Sequence, residues 1–289
     1  MSSVTTRIKE IQQPRGGYIK PSSFTETKFD DGEILSEKEN LSAALVGTVV
    51  DYMTRFIMTQ NATEAFKVPI DGYQMKLTFL GNLLLEKLKD KTTADAIRLI
   101  VKNDGNNNID ILLKQITGLD DISITAACKA ASYDIWRRNP MEAIMATGAA
   151  DINPDSETIR NIRILVQRSV SFWEKVGPIV AEGFIFAESD KNGDLIKSGY
   201  TETVDSGDGD YLTSDTLWDF KVSKYAPNSK HTLQILMYYI MGKHSSIDIF
   251  KNIDKIGIFN PRLNIMYILN IENIPQDIIH VVETDVICY

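Results

Sequence analysis

Residues 207–224, Gly-Asp-Gly-Asp-Tyr-Leu-Thr-Ser-Asp-Thr-Leu-Trp-Asp-Phe-Lys-Val-Ser-Lys, constrain this chain more than any other stretch. They read as two short strands around a tight polar turn. Asp210-Tyr211-Leu212 ends the first strand, Thr213-Ser214-Asp215-Thr216 is turn-forming, and residues 217–222 make the second. Along the second strand Leu217, Asp219 and Lys221 alternate with Trp218, Phe220 and Val222. The aromatic set is expected to face the core. The other face then carries a carboxylate and an ammonium two residues apart, and pairing across the turn brings Asp210 close to Asp219.

Two carboxylates and a lysine meeting at one point suit a hard divalent cation. Mg²⁺ prefers carboxylate oxygens, keeps several waters and also takes phosphate oxygens. Such an ion acidifies bound water and neutralises charge that develops on phosphorus, which is chemistry for cutting phosphodiesters. The lysine orients or deprotonates that water. An acid two residues before a lysine means little alone, because Glu26-Thr27-Lys28 is a second instance. Context separates the two. Asp219-Phe220-Lys221 lies in an apolar strand, follows a strand bearing Asp210, and precedes a helix with Gln234 and Tyr238 four residues apart.

Three pieces together resemble the PD-(D/E)xK nuclease superfamily, in its RecB-like exonuclease branch. Gly207-Asp208-Gly209-Asp210-Tyr211-Leu212 is similar to the family's Gly-x-x-Asp strand. Leu217-Trp218-Asp219-Phe220-Lys221 is similar to its Asp-x-Lys strand, and Gln234-Ile235-Leu236-Met237-Tyr238 to its Gln-x-x-x-Tyr helix. The resemblance covers Asp51 and about residues 175–270. It implies a restriction-endonuclease-like α/β core, with a central mixed sheet flanked by helices. It implies a metal-dependent deoxyribonuclease, with Asp210, Asp219, Lys221, Gln234 and Tyr238 as catalytic residues. Mg²⁺, with Mn²⁺ as the substitute, would be held by Asp210, Asp219 and the Phe220 carbonyl. Glu182, in Glu182-Gly183-Phe184, and Asp51 would complete the shell. Asp51 stands in Gly47-x-x-x-Asp51, where the family carries a histidine. The resemblance also implies DNA as partner, in phage biology, repair or defence. No helicase motor sequence is present, so the chain acts alone or beside a protein partner. The alternative is a nuclease-like fold that binds nucleic acid or a protein without cutting. Asparagine at position 210 or 219 is expected to abolish cleavage, keep the fold and, by easing repulsion between acids, raise metal-free melting slightly.

Composition bounds these readings. The net charge of −8 argues against a generic nucleic-acid-coating protein and implies weak nonspecific DNA affinity at physiological salt. Two cysteines, Cys128 and Cys288, exclude a four-cysteine iron–sulfur cluster and a disulfide framework. No apolar run is long enough for a transmembrane helix, and the first residues lack the apolar stretch of a signal peptide, so a cytoplasmic setting is expected. Oligomeric state is not legible.

Residues 1–35 read as a polar, extended or loosely ordered arm, with Arg15-Gly16-Gly17-Tyr18 as a stretch that either touches DNA or packs along the surface. Residues 36–289 read as one domain. A helix over residues 39–60 carries Leu41, Leu45, Val49, Met53 and Phe56 at helical spacing. A helical insertion follows at about residues 62–150, with helices near 75–90, 92–103, 108–117 and 121–138. Asp104-Gly105-Asn106-Asn107-Asn108 is a break within it, and Trp136-Arg137-Arg138 is its most basic spot. Arg160, Arg163, Gln167 and Ser171 recur on one side of a helix over residues 155–175 and suit either a phosphate backbone or an ordinary solvated face. Strands are expected over 178–187 and 196–204, with Asp190-Lys191-Asn192-Gly193-Asp194 as a hairpin turn between them. Ser229 is expected to cap a helix over 230–242, and strands over 255–259 and 264–269 follow. No role is assigned to His231 or His244.

Overall fold

The computed structural model describes residues 2–86 and 107–289, and the chain divides into two compact units. One unit holds the residues up to Asp31 together with Phe172–Tyr289, and the other holds Gly32–Ser171. The helix expected over 92–103 and most of the Asp104–Asn108 break lie outside the described residues. In chain order, β1 (Ser2–Ser3), α1 (Val4–Glu10) and β2 (Thr25–Lys28) come first. The helices α2 (Ala43–Thr59), α3 (Ala62–Ala65), α4 (Lys67–Glu86), α5 (Ile109–Gln115), α6 (Asp121–Ala131), α7 (Asp134–Arg138), α8 (Pro140–Ala143) and α9 (Ser156–Val176) follow. The chain then gives β3 (Ala181–Ile185), β4 (Ala187–Ser189), β5 (Leu195–Ser198), β6 (Val204–Ser206), β7 (Asp208–Leu212) and β8 (Thr216–Phe220). It ends with α10 (Ser229–His244), β9 (Lys255–Asn260), β10 (Ile265–Asn270) and α11 (Gln276–Val281).

The first unit is α/β. Its six-stranded sheet has the order β2-β10-β9-β8-β7-β3. β8 and β9 pair in parallel and the other neighbours are antiparallel, so the sheet is mixed. A parallel pair needs a crossover, and α10 supplies it. One face of the sheet buries Leu212, Leu217, Ile256 and Ile258 against Leu233, Leu236, Met237 and Ile240 of α10. The other buries Tyr211, Trp218, Phe220 and Phe259 against the end of α9, where the Phe172 ring stacks on Phe259 at 3.9 Å and meets Trp218 edge-on at 5.1 Å. The face of β8 that carries Leu217 and Asp219 is therefore buried as well as the aromatic face expected to meet the core. Every residue of β8 is buried, because the strand is central in its sheet and covered on both sides.

Residues 1–31 belong to this unit and are not a loose arm. Val4 and Ile8 of α1, together with Ile19 and Phe24, reach the core, and β2 pairs with β10 along the sheet edge. The residues of β2 are all exposed. Its backbone hydrogen bonds place it, so it carries no hydrophobic pattern for a sequence reading to find. The expected turn at Asp190 is present: the Asp190 carboxylate accepts the backbone N–H groups of Asn192 and Asp194, joining β4 to β5.

Gly257 on β9 makes the aromatic face fit. A Cβ there would sit 2.3 Å from the Trp218 ring. Gly257→Ala is expected to destabilise this unit by roughly 1–3 kcal/mol through overpacking. Denaturant unfolding followed by tryptophan fluorescence checks it, and an unchanged midpoint would show that the indole moves aside freely.

The second unit is helical among its described residues. α2 buries Val46, Val49, Val50 and Met53 completely. The helical part begins with α2 itself and not after it, as an insertion at 62–150 would require. The Tyr52 hydroxyl donates to Asp134, whose other oxygen takes Arg138 at 2.6 Å. Burial, reinforced by the Asp134 charge, pushes the Tyr52 phenol well above its ordinary pKa. The basic stripe on α9 is engaged within this unit. Arg160 donates to the Ile34 carbonyl and to Glu33, and Arg163 to the Leu119 carbonyl and to Asp121. No helix among the described residues is long and apolar enough to cross a membrane. The two cysteines are both free, Cys128 buried and Cys288 exposed.

Candidate active site

The β7–β8 hairpin sets the geometry of the site. Leu212 pairs with Leu217 and Tyr211 with Trp218. Asp210 and Asp219 occupy the next step of that ladder and share a face, since side chains alternate along each strand. At this step the strands give up regular pairing. The Asp210 carboxylate instead accepts the Phe220 N–H at 2.7 Å, so it clips the end of β8 from the side. Gly207 opens this strand where space is tight. A Cβ on it would lie 2.8 Å from Val4 and 3.4 Å from the Tyr238 ring.

Asp219 is 2% exposed. One carboxylate oxygen takes the Lys221 ammonium at 2.8 Å. The other, Oδ2, is buried with no hydrogen-bond partner. A buried carboxylate oxygen without a partner is costly, and a cation is the ligand that best relieves it. The other acid-x-Lys triplet, Glu26-Thr27-Lys28, lies on exposed β2. Burial is what distinguishes the two. For Lys221, burial alone would favour the neutral amine, but the charges of Asp219, Asp210 and Asp208 outweigh it and hold the pKa above its ordinary value. Lys221 is an ammonium in this arrangement.

α10 delivers the remaining groups. Its cap is Asn228, one residue before the expected Ser229. The Asn228 side chain accepts the N–H groups of Lys230 and His231, and the His231 ring accepts the N–H of Asn228 in return. One turn on, the Gln234 amide donates to the Tyr238 hydroxyl at 2.9 Å. Burial raises the Tyr238 pKa far above that of a free phenol, and Asp219, Asp210 and Asp208 add to it even though the Gln234 contact acts the other way. Tyr238 is therefore a neutral phenol within the field of the acids.

The structure thus brings Asp210, Asp219 and Lys221 together, and it pairs Gln234 with Tyr238 near them. The two other expected ligands have pairings of their own. Glu182 on β3 is paired with Tyr211, and the register leaves Gly183, not Glu182, across from Asp210. Asp51 lies on α2 in the helical unit, where its carboxylate takes Arg55 one turn on at 3.2 Å. Among the described residues, no three His, Cys, Asp or Glu side chains form a group able to hold a metal. Two residues that carried no assignment act on the site. Asp208 shares the two-residue spacing of Gly207-Asp208-Gly209-Asp210 and contributes charge to Lys221 and Tyr238. His231 lies within the fields of Lys221 and Asp219. The alternation of Asp208 and Asp210 was a legible signal. For His231 it was the three-residue step to Gln234.

The donor set fits a hard divalent ion that keeps several of its waters. It offers two carboxylates, one with an unsatisfied oxygen. No protein-family model, no curated protein and no solved structure matches this chain.

Proposed function

We propose that the sheet unit is a Mg²⁺-dependent DNA nuclease of the PD-(D/E)xK kind, with a restriction-endonuclease-like core and the helical unit as its N-terminal addition. The observation that carries this reading is the buried Asp219 oxygen without a partner, flanked by Asp210 and Lys221. Asp210, Asp219 and the Phe220 carbonyl would hold the ion, with Mn²⁺ as the substitute. When bound, the ion supplies neutralisation of phosphate charge and a more acidic water. Lys221, an ammonium, would orient that water and stabilise charge on the phosphate. Gln234 and Tyr238 donate neutral hydrogen bonds beside it. Glu182, paired with Tyr211 and not with Asp210, would act no closer than the edge of the shell, and Asp51 is the further ligand that the family resemblance implies. The expected result for Asp51→Ala is a smaller rise in the Mg²⁺ needed for half-maximal cleavage than for Asp210→Asn. An unchanged titration would leave Asp51 a structural role, such as its pair with Arg55.

The test is incubation of the full chain with linear, circular, single- and double-stranded DNA in Mg²⁺, Mn²⁺ or EDTA. Cleavage in either metal and none in EDTA is expected. A second reading is a fold of this kind that binds nucleic acid or a protein partner without cutting. It is favoured by the engagement of both acids, Asp210 with the Phe220 N–H and Asp219 with Lys221. Binding of DNA with no cleavage in any metal would select it.

A further inference from the structure

α10 carries one residue whose chemistry the site above does not use. His231 lies three residues before Gln234 and seven before Tyr238, a spacing that puts all three on one helical face. That face looks toward the ends of β7 and β8. The charges of Lys221 and Asp219 act on the His231 ring, and those of Asp219 and Asp210 act on Tyr238. The Nδ1 atom of His231 is committed, because it accepts the Asn228 N–H at 3.2 Å as half of the helix cap. A ring nitrogen that accepts a hydrogen bond bears no proton. The ring is therefore neutral, with its proton on Nε2, and the cap fixes both tautomer and orientation. Among the described residues Nε2–H has no hydrogen-bond acceptor.

We propose that His231 binds a non-bridging oxygen of a nucleic-acid backbone phosphate through Nε2–H, next to the Lys221 ammonium. This rests on the reading that the site receives a nucleic-acid strand. An anion entering among Asp208, Asp210 and Asp219 is repelled by them, so fixed donors and cations must receive it. A neutral donor suits this place. It gives a phosphate oxygen a hydrogen bond without adding a positive charge that would compete with a divalent cation at the carboxylates. A buried acceptor with the opposite polarity would repel the same oxygen.

The test uses three variants and a fluorescein-labelled DNA oligonucleotide, with binding read by anisotropy in Ca²⁺ and stability by thermal melting. In His231→Gln the side-chain oxygen serves the cap and the amide keeps a donor. In His231→Glu the cap is served but the donor is gone. His231→Ala loses both. The expected result is affinity near wild type for His231→Gln and a loss of about tenfold or more for His231→Glu and His231→Ala, the size of one hydrogen bond to a charged group. Melting should fall only in His231→Ala. His231→Glu also adds a carboxylate that repels phosphate, so it reports on the cap through melting. A capping role alone predicts wild-type affinity in folded His231→Ala, measured well below its melting temperature, and that outcome overturns the proposal. Wild-type protein that binds no oligonucleotide in Ca²⁺ overturns it too. Wild-type protein that binds but does not cut in Mg²⁺ ends the nuclease reading, yet the variant series still decides the role of His231.

Discussion

Asp219→Asn is expected to remove DNA cleavage in Mg²⁺, by about 10³-fold or more. A catalytic ion contributes several kcal/mol to the transition state, and each 1.36 kcal/mol is tenfold in rate. Asp210→Asn should lose activity on the same scale while keeping its structural contact, since an amide oxygen still accepts the Phe220 N–H. The two should differ in stability. Adjacent acids viewed in sequence alone suggest repulsion that asparagine would ease. The structure reverses that for Asp219, which is the counterion of Lys221 and is 2% exposed. Metal-free Asp219→Asn should be less stable than wild type by about 2 kcal/mol, the scale of a hydrogen bond to a charged group. Asp210→Asn should lie close to wild type. Single-turnover cleavage and metal-free denaturant unfolding of the pair check both parts. Cleavage at the wild-type rate by either variant would remove the site from consideration.

Lys221→Ala is the second large effect. The ammonium contacts Asp219 and lies in the field of Asp210 and Asp208, so it acts on water and phosphate charge and not on strand pairing. Loss of that group should lower kcat on the order of 10²-fold, with DNA affinity kept within a few-fold. It also strips Asp219 of its counterion. A stability loss of about 3 kcal/mol is expected, at the low end for breaking a buried pair because the lysine side chain is 26% exposed. This has a consequence that separates metal binding from chemistry. An ion that binds the folded state alone stabilises it by mass action, and it meets a more negative site once the ammonium is gone. Mg²⁺ should therefore raise the melting temperature of Lys221→Ala more than that of wild type. Equal shifts in the two proteins would place the ion elsewhere, and wild-type cleavage by the variant would leave the non-cutting reading as the better one.

The chain's local spacing was enough to place the central hairpin, the common face of Asp210 and Asp219, the proximity of Lys221, and a buried helix on which Gln234 meets Tyr238. Each of these follows from covalent periodicity: a strand repeat of two residues, a helical turn of about 3.6, and a turn whose polar residues lie in one run. The mixed α/β architecture follows from the same alternation of strand and helix patterns. What lies beyond a few residues' reach was decided by tertiary structure. β2 is placed by β10, far away in sequence, and its exposed Thr25–Lys28 carry no apolar signal. β8 is buried on both faces because α10 covers one side and Phe172 and Trp173 the other. The charge of Lys221 was undetermined in sequence, because burial and carboxylates push it in opposite directions. Only the assembled positions of Asp219, Asp210 and Asp208 show that the carboxylates prevail. Asp219 has one oxygen paired and one unsatisfied for the same reason: periodicity fixes which way a side chain points, while burial and electrostatics depend on what distant segments bring to meet it.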